Sequence, residues 1–361
     1  MKSRLLALCM MFVLIAALVP GVMAQDTTIC GNLSADDCTA LTTAFTNTGA
    51  AGSGAFTLTA DIDVVGATDA DSGKVNITAD GKFSGVKPMS MTDMTAMGSD
   101  PSAALAKATE SIKGFSGELN LTIGLPTSAA AMTGGEPLVL NLLLVDGNGF
   151  IDLSKMPASL APMLQQMKIP NSWVGLDLVD TITNLGGMMT ASSSSSSASS
   201  TASEDLPKVQ ALLAKHLQYT RDGDTFTGTL DLKGLVSDPD FQALQKETAK
   251  EMTEADQAAL DSLDDATVQV VFTLANDKIG EIQLNVDLPE STLTAINAAN
   301  SDSSSSDAQP PKSVKVTVDL KYSGLGEAQT ITAPAGATVS KYADLMTFIS
   351  GLMGGMSGSS S

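Results

Sequence analysis

A period-two alternation of apolar and polar residues runs through most of this chain and confines it to a fold built on long strands. Phe56, Leu58, Ala60, Ile62 and Val64 alternate with Thr57, Thr59, Asp61 and Asp63. Val75, Ile77 and Ala79 alternate with Asn76, Thr78 and Asp80, and Leu119, Leu121 and Ile123 with Asn120 and Thr122. The pattern returns at Val268–Leu274, Ile282–Leu288 and Val314–Leu320. Successive side chains on a strand point to opposite faces, so each stretch makes one oily and one wet face. A set of one-sided strands requires an antiparallel sheet with one face in water, because parallel sheets are covered on both. Turn residues join the strands in pairs: Asp146-Gly147-Asn148-Gly149, Arg221-Asp222-Gly223-Asp224 and Asn276-Asp277. Gly, Asn and Asp tolerate the left-handed conformations of tight hairpins. Leu138–Val145 is apolar on both faces apart from Asn141, which predicts a central strand with material packed on each side.

Helical composition falls at Ser102–Lys113, Pro157–Met167, Glu204–Gln218 and Asp240–Leu263, with a further candidate at Ser340–Leu352. In the third, Leu206, Val209, Leu212, Leu213 and Leu217 form one apolar stripe, which needs a surface to lie against. The sheet supplies one. Thr190–Ser203 and Asn300–Pro311 are low-complexity Ser-rich stretches that bury too little apolar surface to offset the entropy of ordering. Domain linkers would look the same, but strands of one character flank them on both sides, so loop insertions are the preferred reading.

The amino terminus reads as a leader. Lys2 and Arg4 precede an apolar run from Leu5 to Val19, Pro20-Gly21 breaks it, and Ala24 supplies the small residue before a cut. The expected organisation is a signal peptide over 1–24, a disulfide-bearing segment over 25–50, one α+β domain over 51–338 with insertions near 190–203 and 300–311, and a short helix and disordered tail over 339–361. Cys9 lies in the leader, which leaves Cys30 and Cys38; an even pair in an oxidising compartment reads as a disulfide. No later segment reaches membrane-spanning length. The mature chain is therefore expected in the periplasm, at the cell surface or outside the cell, without a transmembrane span.

Charge and residue chemistry exclude several functions. A net charge of −20 repels phosphate backbones, so nucleic acid is not an expected partner. There is one His, His216, no Gly-x-Ser-x-Gly, and no Gly-rich loop that follows a strand and opens a helix. Asp69, Asp71 and Gly73 mimic part of a calcium loop, but strands flank them and Asp80 stands where a bidentate Glu is required. No catalytic residue, metal ligand or cofactor is expected, and the chain is read as a non-enzyme. Met89, Met91, Met94 and Met97 cluster after Pro88. Thioethers suit Cu(I), but without His or Cys the cluster is better read as an adaptable apolar flap.

The order of elements resembles the LolA/LppX superfamily of extracytoplasmic lipid and lipoprotein carriers. The resemblance rests on Gly149-Phe150-Ile151-Asp152-Leu153, a Pro-bounded helix, Trp173-Val174-Gly175-Leu176-Asp177-Leu178, the 204–218 helix, the strand at 224–232, the paired strands 268–274 and 279–288, and Ile331-Thr332-Ala333-Pro334. It implies an α+β fold in which a long curved antiparallel sheet, a half-barrel, carries helices on its concave apolar face. It also implies a cavity for acyl chains, to which Met89, Met91, Met94, Met97, Phe150 and Trp173 are the candidate contributors. The lipid-attachment Cys of the anchored branch is missing here, and the Ser-rich insertions are foreign to the compact carriers. The expected function is a secreted or periplasmic binding protein for a lipid or other apolar ligand, with envelope proteins as further partners. The alternative is an extracellular structural or adhesion module whose sheet surface meets protein partners, and the same apolar residues would equally make a filled core.

Overall fold

The structure, a computed structural model, describes residues 30–68, 72–87, 101–126, 130, 133–160, 162, 165, 170, 172–184, 211, 212, 214–244, 261–299 and 311–344. These build one open, curved, twelve-stranded sheet with helices, an α+β architecture as expected. The strands are β1 (Gly54–Val65), β2 (Gly73–Ser84), β3 (Ser116–Gly124), β4 (Leu138–Val145), β5 (Asn148–Asp152), β6 (Trp173–Asp177), β7 (Leu217–Asp222), β8 (Thr225–Leu230), β9 (Thr267–Ala275), β10 (Lys278–Pro289), β11 (Ser313–Ser323) and β12 (Thr338–Ser340). Their order across the sheet is β12-β6-β5-β4-β3-β2-β1-β11-β10-β9-β8-β7. Only β12 and β6 run parallel. The sheet is thus two meanders, β1 to β6 and β7 to β11, sewn together where β1 pairs with β11 from Ala55↔Ser323 to Val65↔Ser313.

Direct cross-strand partners share a face, and the register sorts the alternating residues without exception at the centre. Leu58, Leu320 and Ile282 stand in one row, Ala60, Val318 and Leu284 in the next, and Ile62, Val316 and Val286 in a third. Their neighbours Asp61, Thr317 and Asn285 form a row on the other face. Two-residue turns set this parity. Asp146 (φ 51) with Gly147 (φ 78), and Asn276 (φ 50) with Asp277 (φ 55), take the left-handed conformations that a tight right-twisted hairpin needs.

Helices α1 (Ala35–Ala50), α2 (Pro101–Gly114), α3 (Leu232–Ser237), α4 (Pro239–Leu244) and α5 (Glu290–Ala299) accompany the sheet. Two clusters of buried side chains form on its apolar face. In one, Leu41, Ala44 and Phe45 of α1 meet Tyr219, Phe226, Phe272, Ile279 and Ile282, with Phe45 and Phe272 edge to face at 5.1 Å. In the other, Leu212, Leu235 and Leu293 cover Val268, Leu284, Val286, Val314 and Val316.

Helix α1 is absent from the sequence reading, which treats 25–50 only as a disulfide-bearing segment. Its five threonines have poor helix propensity; four of them, Thr39, Thr42, Thr46 and Thr48, donate their hydroxyls to the carbonyl four residues back. Packing against the sheet overrides that preference. Ser34 caps the helix by accepting the Asp37 N–H at 3.2 Å, and Asp36 and Asp37 favour the positive end of the dipole. The expected helix over 204–218 ends early: Leu217 and Gln218 pair with Leu230 and Thr229 as the start of β7. In the expected 240–263 helix, α4 and residues 261–262 are helical, and 245–260 lie outside the described residues. Of the expected 157–167 helix, Ala158–Leu160 is a 3-10 turn. Residues 1–24, 190–203, 300–310 and 345–361 lie outside the described residues.

Candidate functional site

The apolar face continues past β1 onto β2, β3, β4, β5 and β6, but the buried clusters do not follow it. Leu119, Leu121 and Ile123 of β3 stand opposite Leu142, Leu140 and Leu138 of β4. Leu142 faces Ile151 of β5, and Ile151 faces Val174 of β6. On the other flank Leu121 and Ile123 meet Ala79 and Ile77 of β2. All of these except Ala79 are only half-buried, and neither buried cluster includes a residue of β3, β4, β5 or β6. The result is a wall of aliphatic side chains with no polar residue in these rows from β2 to β6. It offers dispersion and hydrophobic contact to a partner and nothing that would move a proton or hold a charge.

Phe150 and Trp173 do not join this wall. Phe150 stands opposite Leu143 and Gly175, and Trp173 opposite Asp152, so both share the face of Asn120, Asn141 and Asp80. The sequence held the signal that separates them. A two-residue turn at Asp146-Gly147 sets Val145 against Asn148, which puts Ile151, not Phe150, beside Leu142. Phe150 is buried, its ring lying over Gly175 so closely that a Cβ there would meet it at 2.8 Å. Val145 is buried at the same end. Leu143 and Val145 of β4 thus stand on the face of Phe150, and Leu138, Leu140 and Leu142 on the other. A short helix over 178–184 follows β6, with Asp177 Oδ1 accepting the Asp180 N–H at 2.8 Å. Met89, Met91, Met94 and Met97 lie outside the described residues.

The polar face is a network of pairs within and between strands. Lys315 reaches Asp287 at 2.9 Å, and Lys321 reaches Asp319 at 2.6 Å and Glu281 at 3.2 Å. Asn76 donates to Asp61 at 3.0 Å, which with Lys74 lowers the Asp61 pKa. A shallow cleft of about 350 Å³ on this face is lined by Thr59, Asp61, Gln283, Asn285, Thr317 and Asp319. Among the described residues no three His, Cys, Asp or Glu side chains gather as a metal site requires.

His216 is part of a structural lock. Its Nε2 lies 2.7 Å from Asp238 Oδ2, Lys215 Nζ reaches the same oxygen at 2.6 Å, and the Asp240 N–H donates to Oδ1 at 2.9 Å. Lys215, then His216 and the Asp240 amide, hold the Asp238 carboxyl well below the usual carboxylate range. The side chain of Asp238 is only 2% exposed, so these partners are what permit its charge there. The lock ties the segment before β7 to the turn between α3 and α4.

No described helix is long and apolar enough to cross a membrane. Cys30 and Cys38 form a disulfide, with Cα atoms 5.3 Å apart. No family model and no characterised relative matches the sequence. Among solved structures, LprF from Mycobacterium bovis is similar at 10% identity over 85% of this chain and 100% of that one, with a TM-score of 0.26.

Proposed function

We propose that the protein is a non-enzymatic binding protein that holds a lipid or other apolar ligand against the wall formed by β3, β4 and β5. The observation that carries this reading is the half-buried double row Leu119, Leu121, Ile123 and Leu138, Leu140, Leu142. It is as apolar as the covered half of the sheet, yet its members fall outside the buried clusters. Apolar surface of this extent on one sheet face is what an acyl chain would cover, and it needs no oriented polar groups to do so. The disulfide supports function in an oxidising compartment, and with the leader-like first 24 residues it favours an exported carrier.

The test is solvent extraction of the native protein followed by mass spectrometry, with titration of a fluorescent fatty acid into the delipidated chain. A co-purified amphiphile and saturable uptake are expected, and Leu121→Asp and Leu140→Asp should each weaken uptake about tenfold or more. Delipidated and native protein that both fail to bind, while the polar face captures an envelope protein, would replace the carrier with an adhesion module.

A further inference from the structure

Among the described residues the sheet ends at β7, whose single strand neighbour there is β8. Backbone groups of Leu217, Tyr219 and Arg221 that point away from β8 are the ones a further strand would take. Instead the Cys30–Cys38 loop occupies that line, residue by residue. Gly31, at φ +46, sits so near that a Cβ would overlap the Leu217 carbonyl oxygen. Asn32 Oδ1 accepts the Tyr219 N–H, and Asn32 Nδ2 donates to the Tyr219 carbonyl at 3.0 Å. One amide side chain thus makes the pair of bonds that a neighbouring strand would make. The Asp37 carboxylate then pairs with Arg221, whose guanidinium lies 4.9 Å from the centre of the Phe226 ring. Cys38 sits in the first turn of α1, and α1 is anchored in the core through Leu41 and Phe45.

We infer that this loop is a redox-removable cap, and that opening it turns the edge of β7 into a site for strand addition by a second copy of this chain. A dithiol reductant opens it: one thiolate attacks a sulfur of the disulfide, and the second displaces the mixed disulfide. Two electrons and two protons pass to Cys30 and Cys38, and the reductant closes to its own disulfide. The covalent closure of the loop is then gone, and what still holds it is Leu33 against the α1 cluster, Asn32 on Tyr219 and Asp37 on Arg221. A second copy is the occupant because two identical six-residue edges match in length when paired antiparallel about a two-fold axis. The charged residues of the strand, Arg221 and Asp222, lie at one end. Centred on Tyr219, such a pair sets Arg221 against Leu217, and no like charges face each other.

The experiment uses the full chain, oxidised and after dithiothreitol, with hydrogen exchange at the Tyr219 amide and sedimentation velocity as readouts. Asn32→Ala, which keeps the disulfide, should speed Tyr219 exchange about tenfold or more without loosening the Phe45 region. Reduced wild type should form a concentration-dependent dimer that strengthens with salt, because each copy carries −20. Reduced Arg221→Pro, which removes an outward N–H and leaves the β8 ladder intact, should stay monomeric. Unchanged Tyr219 exchange in both Asn32→Ala and the reduced protein would overturn the cap. A reduced protein that stays monomeric, or an Arg221→Pro protein that still dimerises, would overturn the strand-addition site.

Discussion

Strands β10 and β4 are both interior strands rich in leucine, isoleucine and valine, and they meet opposite fates. In β10 one face is apolar, and Ile282, Leu284, Val286 and Leu288 are all buried. In β4 both faces are apolar, and Val145 is the only buried residue. The difference does not lie in the strands. It lies in what reaches them: α1, α5 and the segment around Leu212 lie over β8 to β11, and the buried clusters of the described residues stop at β1. Hydrophobicity decides which face of a sheet is oily, and the connections between strands decide which part of that face is roofed.

The sharpest way to break this contrast is to place one charge in each half. Val316→Asp puts a carboxylate at a site 3% exposed with no partner, and should cost several kcal/mol, enough to unfold the chain. Leu140→Asp, on the half-buried wall, should leave the protein folded at a cost of about 1–2 kcal/mol. Urea unfolding followed by circular dichroism distinguishes them, and equal costs would erase the distinction between the halves.

Truncation sharpens the same point. Phe226 is fully buried beneath α1 and Arg221, and Phe226→Ala should lose about 3–5 kcal/mol. The corresponding Leu121→Ala should lose well under half of that by the same urea measurement.

Thr48 tests how the roof is fastened. Its hydroxyl oxygen accepts the buried Ile279 N–H at 2.8 Å beside the bulge at Gly280, and Asn47 donates to the Asp277 carbonyl at the hairpin tip. Thr48→Val keeps the shape and strands that N–H, so about 1–3 kcal/mol should be lost. Hydrogen exchange should quicken at Ile279 before it does in β4.

The smallest effect depends on pH. The unfolded chain binds a proton on Asp238 near the ordinary value of about 3.9, whereas the folded chain resists it through Lys215 and His216. This stabilisation is complete above about pH 4 and drains away as pH falls further, because the unfolded state then takes up the proton first. Asp238→Asn should flatten the acid limb of the stability curve, read from melting temperatures between pH 5 and 2.

The strands were legible because alternation is a local property, and a two-residue turn carries parity from one strand to its neighbour. That parity also separates Ile151 from Phe150 and Trp173, which lie on the opposite face of the sheet. Helix α1 was not legible. Threonine at Thr39, Thr42, Thr46 and Thr48 argues for a strand, and only burial of Leu41, Ala44 and Phe45 against Phe226 and Ile279 makes a helix of it. Leu217 continues the apolar spacing of the sequence before it, and only the pairing of Leu217 and Gln218 with Leu230 and Thr229 makes them the start of β7.

The order of residues alone determined that this chain makes a one-sided antiparallel sheet, which side is oily, where it turns, and that Cys30 and Cys38 were free to pair. Tertiary structure decided that β1 closes on β11, that α1 and the disulfide loop finish the β7 edge, and that, among the described residues, the aliphatic rows of β3 and β4 fall outside the buried clusters. Those outcomes depend on contacts between residues far apart in the chain, and a periodicity read within one segment carries no information about which distant segment will come to lie upon it.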